Sequence, residues 1–114
     1  MITLTIPGIP PSLNRWPSNH FARARMKTYW EQEVWVAVYQ AKVRNLKIKK
    51  ATVRIVYYFS TNRRRDNDNM IPKGLMDGLV KAGVIADDNA QDIDLDWSFA
   101  MGTPERTEIK IQEV

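Results

Sequence analysis

The sequence contains no cysteine and a single histidine, His20. The absence of cysteine excludes disulfides and thiolate metal sites, and it is typical of a protein that stays in a reducing cytoplasm. With one imidazole and no thiolate, the chain also lacks the ligands of a zinc site. We therefore expect a cytoplasmic protein and interpret His20 as a surface residue.

Long apolar runs are absent as well. The longest, residues 34–39, is far too short to span a bilayer, and the amino terminus lacks the charged-then-apolar pattern of a signal peptide. A length of 114 residues is typical of one domain. We expect a single domain over residues 1–114, with no membrane partner and no small-molecule cofactor.

Acidic residues are scarce in the first part of the chain. Residues 1–65 hold 13 Lys and Arg against 2 Glu, a balance of +11, whereas residues 66–114 hold 4 Lys and Arg against 11 Asp and Glu, a balance of −7. This asymmetry favours a basic surface for a polyanion beside an acidic patch. The alternative is that the two parts neutralise each other across one fold.

Hydrophobic periodicity predicts an α/β protein of the α+β type, with a small mixed sheet of about four strands, two packed helices and the order βαβαββ. The predicted elements are a strand with Ile2, Leu4 and Ile6; a helix over about 25–44; a strand over 53–59; a helix over about 71–82; a strand over 92–101; and a last strand with Ile109 and Ile111.

Helical spacing predicts which side chains face the core, and terminal residues predict where the helices end. In the first helix the predicted core stripe is Met26, Trp30, Val34, Ala37 and Ala41, and Lys42 and Arg44 are expected in the last turns. In the second helix the predicted apolar face is Leu75, Met76 and Leu79, and Gly83 is expected to cap the carboxyl end.

The main chemical signal is a carboxylate cluster directly after three arginines. Asp66 and Asp68 lie two residues apart, so an extended backbone projects both carboxylates to the same side. Mg²⁺ takes one or two such carboxylates and completes its octahedron with water and phosphate. Asp87 or Asp88 is expected to add a ligand from beyond the second helix, and Lys73 to stabilise charge at a scissile phosphate.

Three other interpretations of these carboxylates remain open. An EF-hand calcium loop requires glycine where Ile71 stands. A solvated turn would pair the arginines and aspartates locally, with residues 87–89 as turn residues. Asp92, Asp94 and Asp96 are a third candidate for a cation site, although a polar outer strand face explains them more simply.

Several segments together resemble the RusA family of Holliday-junction resolvases. They are the opening strand followed by Pro10-Pro11-Ser12-Leu13-Asn14-Arg15, then Asp66-Asn67-Asp68-Asn69, Lys73, the run Asp77-Gly78-Leu79-Val80-Lys81-Ala82-Gly83, and Asp87-Asp88 followed by Gln91. The resemblance covers nearly the whole chain in the family's order. Lys73 follows Asp68 by five residues, where the family usually has four.

The resemblance implies a homodimeric, Mg²⁺-dependent endonuclease that resolves four-way DNA junctions by paired, symmetric cuts, with Mn²⁺ as a substitute ion. It implies that Asp66, Asp68 and Asp88 are the essential carboxylates, that Asn69 and Lys73 take part in catalysis, and that each protomer supplies one metal site. The side chains expected to hold DNA are Asn14, Arg15, Arg23, Arg63, Arg64 and Arg65.

Two rival functions remain at this stage. A non-catalytic DNA-binding module would use the basic part of the chain for phosphate contacts and the acidic part only for charge balance. A nuclease for other branched DNA would use the same metal site, because the geometry of a branch is recognised by the shape of a dimer.

Overall fold

The computed structural model describes residues 1–12, 15–61, 72–87, 89 and 91–114. In chain order its elements are β1 (Ile2–Pro7), α1 (His20–Ala41), β2 (Ala51–Phe59), α2 (Lys73–Lys81), β3 (Ile93–Met101) and β4 (Arg106–Glu113). The described residues form two helices and a four-stranded mixed sheet, which confirms the predicted α+β class and the order βαβαββ.

The sheet has the strand order β1-β4-β2-β3. β4 pairs antiparallel with both β1 and β2, whereas β2 and β3 run parallel. A parallel pair requires a crossover, and α2 supplies it. The end of the sheet where β2 finishes and α2 begins is called here the upper end. The end where α2 finishes and β3 begins is called the lower end.

One face of the sheet is buried under both helices. Its apolar positions are Leu4 and Ile6 of β1, Val53, Ile55 and Tyr57 of β2, Ile93 of β3, and Ile109 and Ile111 of β4. The opposite face is open to solvent, and Asp94 and Asp96 are exposed there. The interpretation of these two aspartates as a polar outer strand face is therefore confirmed.

The first helix begins earlier than predicted. Asn19 has an extended backbone, and its side-chain oxygen accepts hydrogen bonds from the backbone N–H groups of Phe21 (2.9 Å) and Ala22 (3.1 Å). This is the usual role of asparagine at a helix start, so α1 begins at His20 and not at residue 25. The prediction overlooked this capping signal.

The same helix also ends earlier than predicted. Lys42 adopts a left-handed backbone (φ 59°), and its N–H donates to the carbonyl oxygen of Tyr39. Lys42 and Arg44 therefore lie beyond α1, and the prediction that they occupy its last turns is wrong. The core stripe is largely confirmed: Trp30, Val34 and Ala37 are buried and Met26 packs against the core, but Ala41 is exposed.

The second helix ends as predicted. Leu75, Met76 and Leu79 are buried, which confirms the apolar face. Gly83 follows the helix with a positive φ of 78°, and its N–H donates to the carbonyl of Val80, while the N–H of Val84 donates to that of Leu79. This pair of bonds is a Schellman motif, which requires a left-handed residue at the glycine position.

The two helices pack closely and run in the same direction. A β-carbon placed on Gly78 would lie 3.0 Å from the Val34 Cβ, so a larger residue there would require the helices to shift slightly apart. The Nζ of Lys81 lies 2.8 Å from Glu31 Oε2, and this hydrogen bond together with the glutamate charge raises the pKa of Lys81. No helix in the described part of the chain is long and apolar enough to cross a membrane.

Candidate nucleic-acid and metal site

Four of the predicted site residues lie within the described structure: Arg15, Arg23, Lys73 and Asp87. The others lie outside the described residues, and for them the assignments stay predictions. These are Asn14, Arg63, Arg64, Arg65, Asp66, Asp68, Asn69 and Asp88. The described structure therefore includes Thr61 and Pro72, the residues on either side of the segment that contains Asp66 and Asp68.

Lys73 is the first residue of α2 and lies exposed at the upper end. The preceding residue, Pro72, is buried, and its carbonyl accepts the N–H of Met76 at 3.0 Å. Among the described residues no side chain caps this helix start, and its first turn contains no acidic residue. The positive end of the helix dipole and the Lys73 ammonium therefore act together on any anion at this end.

An apolar cleft connects the helix start with the loop that follows β1. It is lined by Pro10, Pro11, Trp16, Lys27, Trp30, Tyr57, Pro72, Gly74 and Leu75. The indole Nε1 of Trp16 donates to the carbonyl of Pro11 at 3.1 Å, which fixes the ring at the cleft. Burial raises the pKa of Tyr57 well above its usual range, so this phenol remains neutral in the cleft.

Arg15 and Arg23 lie beside this cleft, on exposed positions of the loop after β1 and of the first turn of α1. The guanidinium carbon of Arg23 lies 6.0 Å from the centroid of the Trp16 ring, at the outer limit of a cation–π contact. Since Trp16 shares the cleft with Pro72, both arginines belong to the same region as the start of α2.

Asp87 lies at the lower end of the sheet. The preceding N–H, from Ala86, donates to Ile48 at 2.8 Å, just before β2 begins. The side chain of Asn89 then accepts the N–H groups of Gln91 and Asp92, which leads the chain directly into β3. Asn89 is thus joined to the start of β3 by the hydrogen bonds that its own side chain accepts.

The predicted metal ligands come from segments at opposite ends of β2. Asp66 and Asp68 follow the upper end of β2 in the chain, whereas Asp87 lies at its lower end. The parallel register pairs Ala51 with Ile93 and Phe59 with Met101, so the eight residue steps of β2 separate the ends by about 26 Å. Asp68 lies four residues before Pro72. Residue 68 therefore lies at most about 14 Å from residue 72, because a fully extended stretch of four residues spans no more than that. Two carboxylates that bind one Mg²⁺ must each lie about 2 Å from the ion.

Among the described residues, no group of three acidic, histidine or cysteine side chains is placed to hold a metal ion. This statement does not extend to Asp66, Asp68 and Asp88, which lie outside the described residues. A scan against protein-family models finds no matching family, and a search of curated proteins finds no match. The resemblance to the resolvases therefore stays a hypothesis.

The sequence reasoning missed Lys27. Its ammonium lies 3.6 Å from Asp77 Oδ2 and 3.9 Å from Glu31 Oε1, and its side chain also lines the apolar cleft. Lys27 thereby connects α1 to α2 directly below the upper end. The four-residue spacing between Lys27 and Glu31 was a signal for one of these contacts, but the contact with α2 depends on the packing of the helices.

Proposed function

We propose that this chain is a cytoplasmic, homodimeric, Mg²⁺-dependent endonuclease that resolves four-way DNA junctions. The observation that carries the proposal is the set of cationic groups at the upper end of the sheet. There the end of β2 and the start of α2, with its exposed Lys73, flank the segment that contains Asp66 and Asp68 in the sequence, and Arg15 and Arg23 lie beside the cleft at this end. A cationic frame around a pair of carboxylates suits a phosphodiester and a divalent ion together.

Asp66, Asp68 and Asp88 would hold the metal, because carboxylate oxygens are the ligands that Mg²⁺ prefers. When bound, the ion would activate water and neutralise the charge that develops on the phosphate. Lys73 would stabilise the same charge, and the uncapped start of α2 would attract the phosphate backbone. Arg15 and Arg23 would position the DNA beside the cleft.

We further propose that each metal site is completed by two protomers. The support is the course of the described chain: the segment with Asp68 joins α2 at its start, whereas Asp87, which precedes Asp88, lies beyond the end of α2. The nine residues of α2 span about 13 Å. A two-fold dimer can place the upper end of one protomer against the lower end of its partner, twice. Two equivalent sites are what a paired cut across a four-way junction requires.

The direct test of the function is junction cleavage by the Asp68→Asn variant in Mg²⁺. Cutting should fall by about 1,000-fold or more, because the metal supplies several kcal/mol of stabilisation and each 1.4 kcal/mol is tenfold in rate. Binding of the junction should remain nearly intact. The substrates are fixed and mobile four-way junctions, forks and duplex, with every cut mapped.

Asp94→Asn is the matched control, because Asp94 is exposed on the open face of the sheet. It should cut at the wild-type rate. Cleavage by Asp68→Asn at that same rate would overturn the metal assignment. Wild-type protein that prefers forks to four-way junctions would identify a nuclease for other branched DNA.

Isothermal titration with Mg²⁺ or Mn²⁺ separates the enzyme from a non-catalytic DNA-binding module. The enzyme should bind either ion, and Asp68→Asn should bind it more weakly, since a carboxylate ligand is lost. A module that uses its acidic residues only for charge balance has no reason to bind the ion. A wild-type protein that takes up neither ion would favour the module.

A further inference from the structure

The outward face of α1 carries large aromatic side chains that the fold leaves uncovered. The exposed fractions of Tyr29, Trp35 and Tyr39 are 51%, 49% and 56%. A surface helix normally presents polar side chains to water, and neighbouring exposed aromatics mark a binding surface. None of these rings is among the residues assigned to the proposed cleavage site, so that site does not account for them.

Two of these rings and one guanidinium form an open stack. The rings of Trp35 and Tyr39 lie 5.3 Å apart between centroids, with only 17° between their planes. The guanidinium carbon of Arg44 lies 5.7 Å from the centroid of Tyr39. Since both rings remain about half exposed, a further planar group can stack on them.

Cations lie on the loop that follows this stack. Lys42, Arg44 and Lys47 are exposed there, and the sequence contains no Asp or Glu between Glu33 and Asp66. Of the two acidic residues of α1, Glu31 is hydrogen-bonded to Lys81 and Glu33 is partly buried. Trp35, Tyr39, Lys42, Arg44 and Lys47 are together called here the aromatic–basic patch.

The loop that carries the cations has a fixed shape. Lys42, Asn45 and Lys47 all have positive φ angles, between 52° and 62°, which L-residues with side chains rarely adopt. Backbone bonds hold this shape: the N–H of Asn45 donates to Ala82 at 3.3 Å, and that of Lys47 donates to Gly83 at 2.8 Å. Its ammonium groups are therefore presented on an ordered backbone beside the stacked rings.

We propose that the aromatic–basic patch binds an unpaired strand of DNA, with bases stacked on Trp35 and Tyr39 and phosphates held by Lys42, Arg44 and Lys47. Exposed planar rings interleaved with cations are the elements of a single-strand site, because every base offers a π face and every phosphate a charge. A second copy of the chain is disfavoured as the occupant, since two such patches would bring like charges together.

The site is separate from the proposed cleavage site, and only the choice of DNA over RNA rests on the proposed function. Trp35 lines a groove with Gly78, Lys81 and Ala82, so it lies toward the finish of α2 and the lower end.

The test measures the anisotropy of a labelled oligothymidine of about 12 nucleotides, in EDTA so that the metal site plays no part. Trp35→Ala and Tyr39→Ala should each weaken binding about tenfold, whereas Trp35→Phe should keep most of the affinity because it keeps a ring. Tyr29→Ala, which removes an equally exposed ring outside the patch, should bind like wild type. Circular dichroism checks that each variant is folded.

Two substitutions that each remove one positive charge are compared in the same assay. Arg44→Gln should weaken binding and flatten its salt dependence, whereas Arg54→Gln, on the open face of the sheet, should change neither. Wild-type affinity in Trp35→Ala would overturn the proposal. So would a Trp35→Ala variant that loses self-association in sedimentation but keeps its oligothymidine affinity, which would assign the face to a second copy.

Two further arms separate this proposal from the proposed function. Asp68→Asn should bind oligothymidine like wild type. Unchanged junction cutting by this variant, together with weakened oligothymidine binding by Trp35→Ala, would count against the cleavage proposal alone. Tighter binding of oligouridine than of oligothymidine would overturn the assignment to DNA.

Discussion

The two ends of α2 are built in opposite ways. At the upper end the helix begins after a buried proline, without a side-chain cap and with Lys73 exposed. At the lower end the helix finishes in a complete Schellman motif around Gly83, and the chain continues through a turn closed by Asn89. In the described part of the chain, the upper end presents backbone N–H groups and the Lys73 charge that suit an anion. At the lower end the backbone N–H and carbonyl groups bond to one another.

This difference indicates that the upper end is suited to bind an anion and the lower end to remain rigid. An uncapped helix start costs some stability but attracts anions. A satisfied helix end gives rigidity, which the lower end needs if Asp87 and Asp88 are to be presented to another protomer. The comparison predicts that equivalent substitutions at the two ends will have different consequences.

The largest difference is expected for the two lysines of α2. Lys73→Gln should lower the rate of junction cutting by about 10–100-fold, because it removes a charge beside the proposed scissile phosphate. Lys81→Gln removes the same charge at the other end of the helix, where Glu31 already engages it. It should change the cutting rate less than about twofold and the stability only slightly, since exposed ion pairs are screened by water and contribute little. Single-turnover cleavage under identical conditions measures both, and equal effects would remove the distinction between the ends.

The two glycines near the ends of α2 should respond with opposite signs. Gly83→Ala forces a side chain into a left-handed backbone and places its β-carbon 2.9 Å from Asn45 Oδ1, so we expect a loss of about 2 kcal/mol. Gly74 has nothing within 4 Å of an added β-carbon, so Gly74→Ala should gain about 0.5–1 kcal/mol from helix propensity. Urea unfolding followed by circular dichroism gives both values. A gain in stability from Gly83→Ala would show that the lower end is not held by this motif.

The order of the elements was predictable because each has a strong period. Val53, Ile55 and Tyr57 recur at every second position, and Leu75, Met76 and Leu79 share one helical face. The bounds of α1 were less predictable. Asn19 was a readable start signal, but the finish depends on Lys42 adopting a left-handed conformation for which a lysine gives no warning.

The arrangement of the candidate site could not be predicted from sequence spacing. Asp68 and Asp87 are separated by a short helix in the chain, which favoured one compact site within a protomer. The parallel pairing of β2 and β3 decides where Asp87 lies, because it obliges the segment between these strands to return the chain from one end of the sheet to the other. Strand pairing is set by contacts that are distant in sequence, so no local pattern reveals it.

The most direct test of the central claim, that the upper end of one protomer completes its site with the lower end of another, mixes two inactive variants. Asp68→Asn and Asp88→Asn are co-expressed with different tags, and the mixed dimer is purified through both. If the sites are shared, one site of the mixed dimer carries both substitutions and the other carries none. The account predicts that each variant alone is inactive and that the mixed dimer cuts one strand of a four-way junction in Mg²⁺. A mixed dimer as inactive as either variant would contradict it and place each site within one protomer.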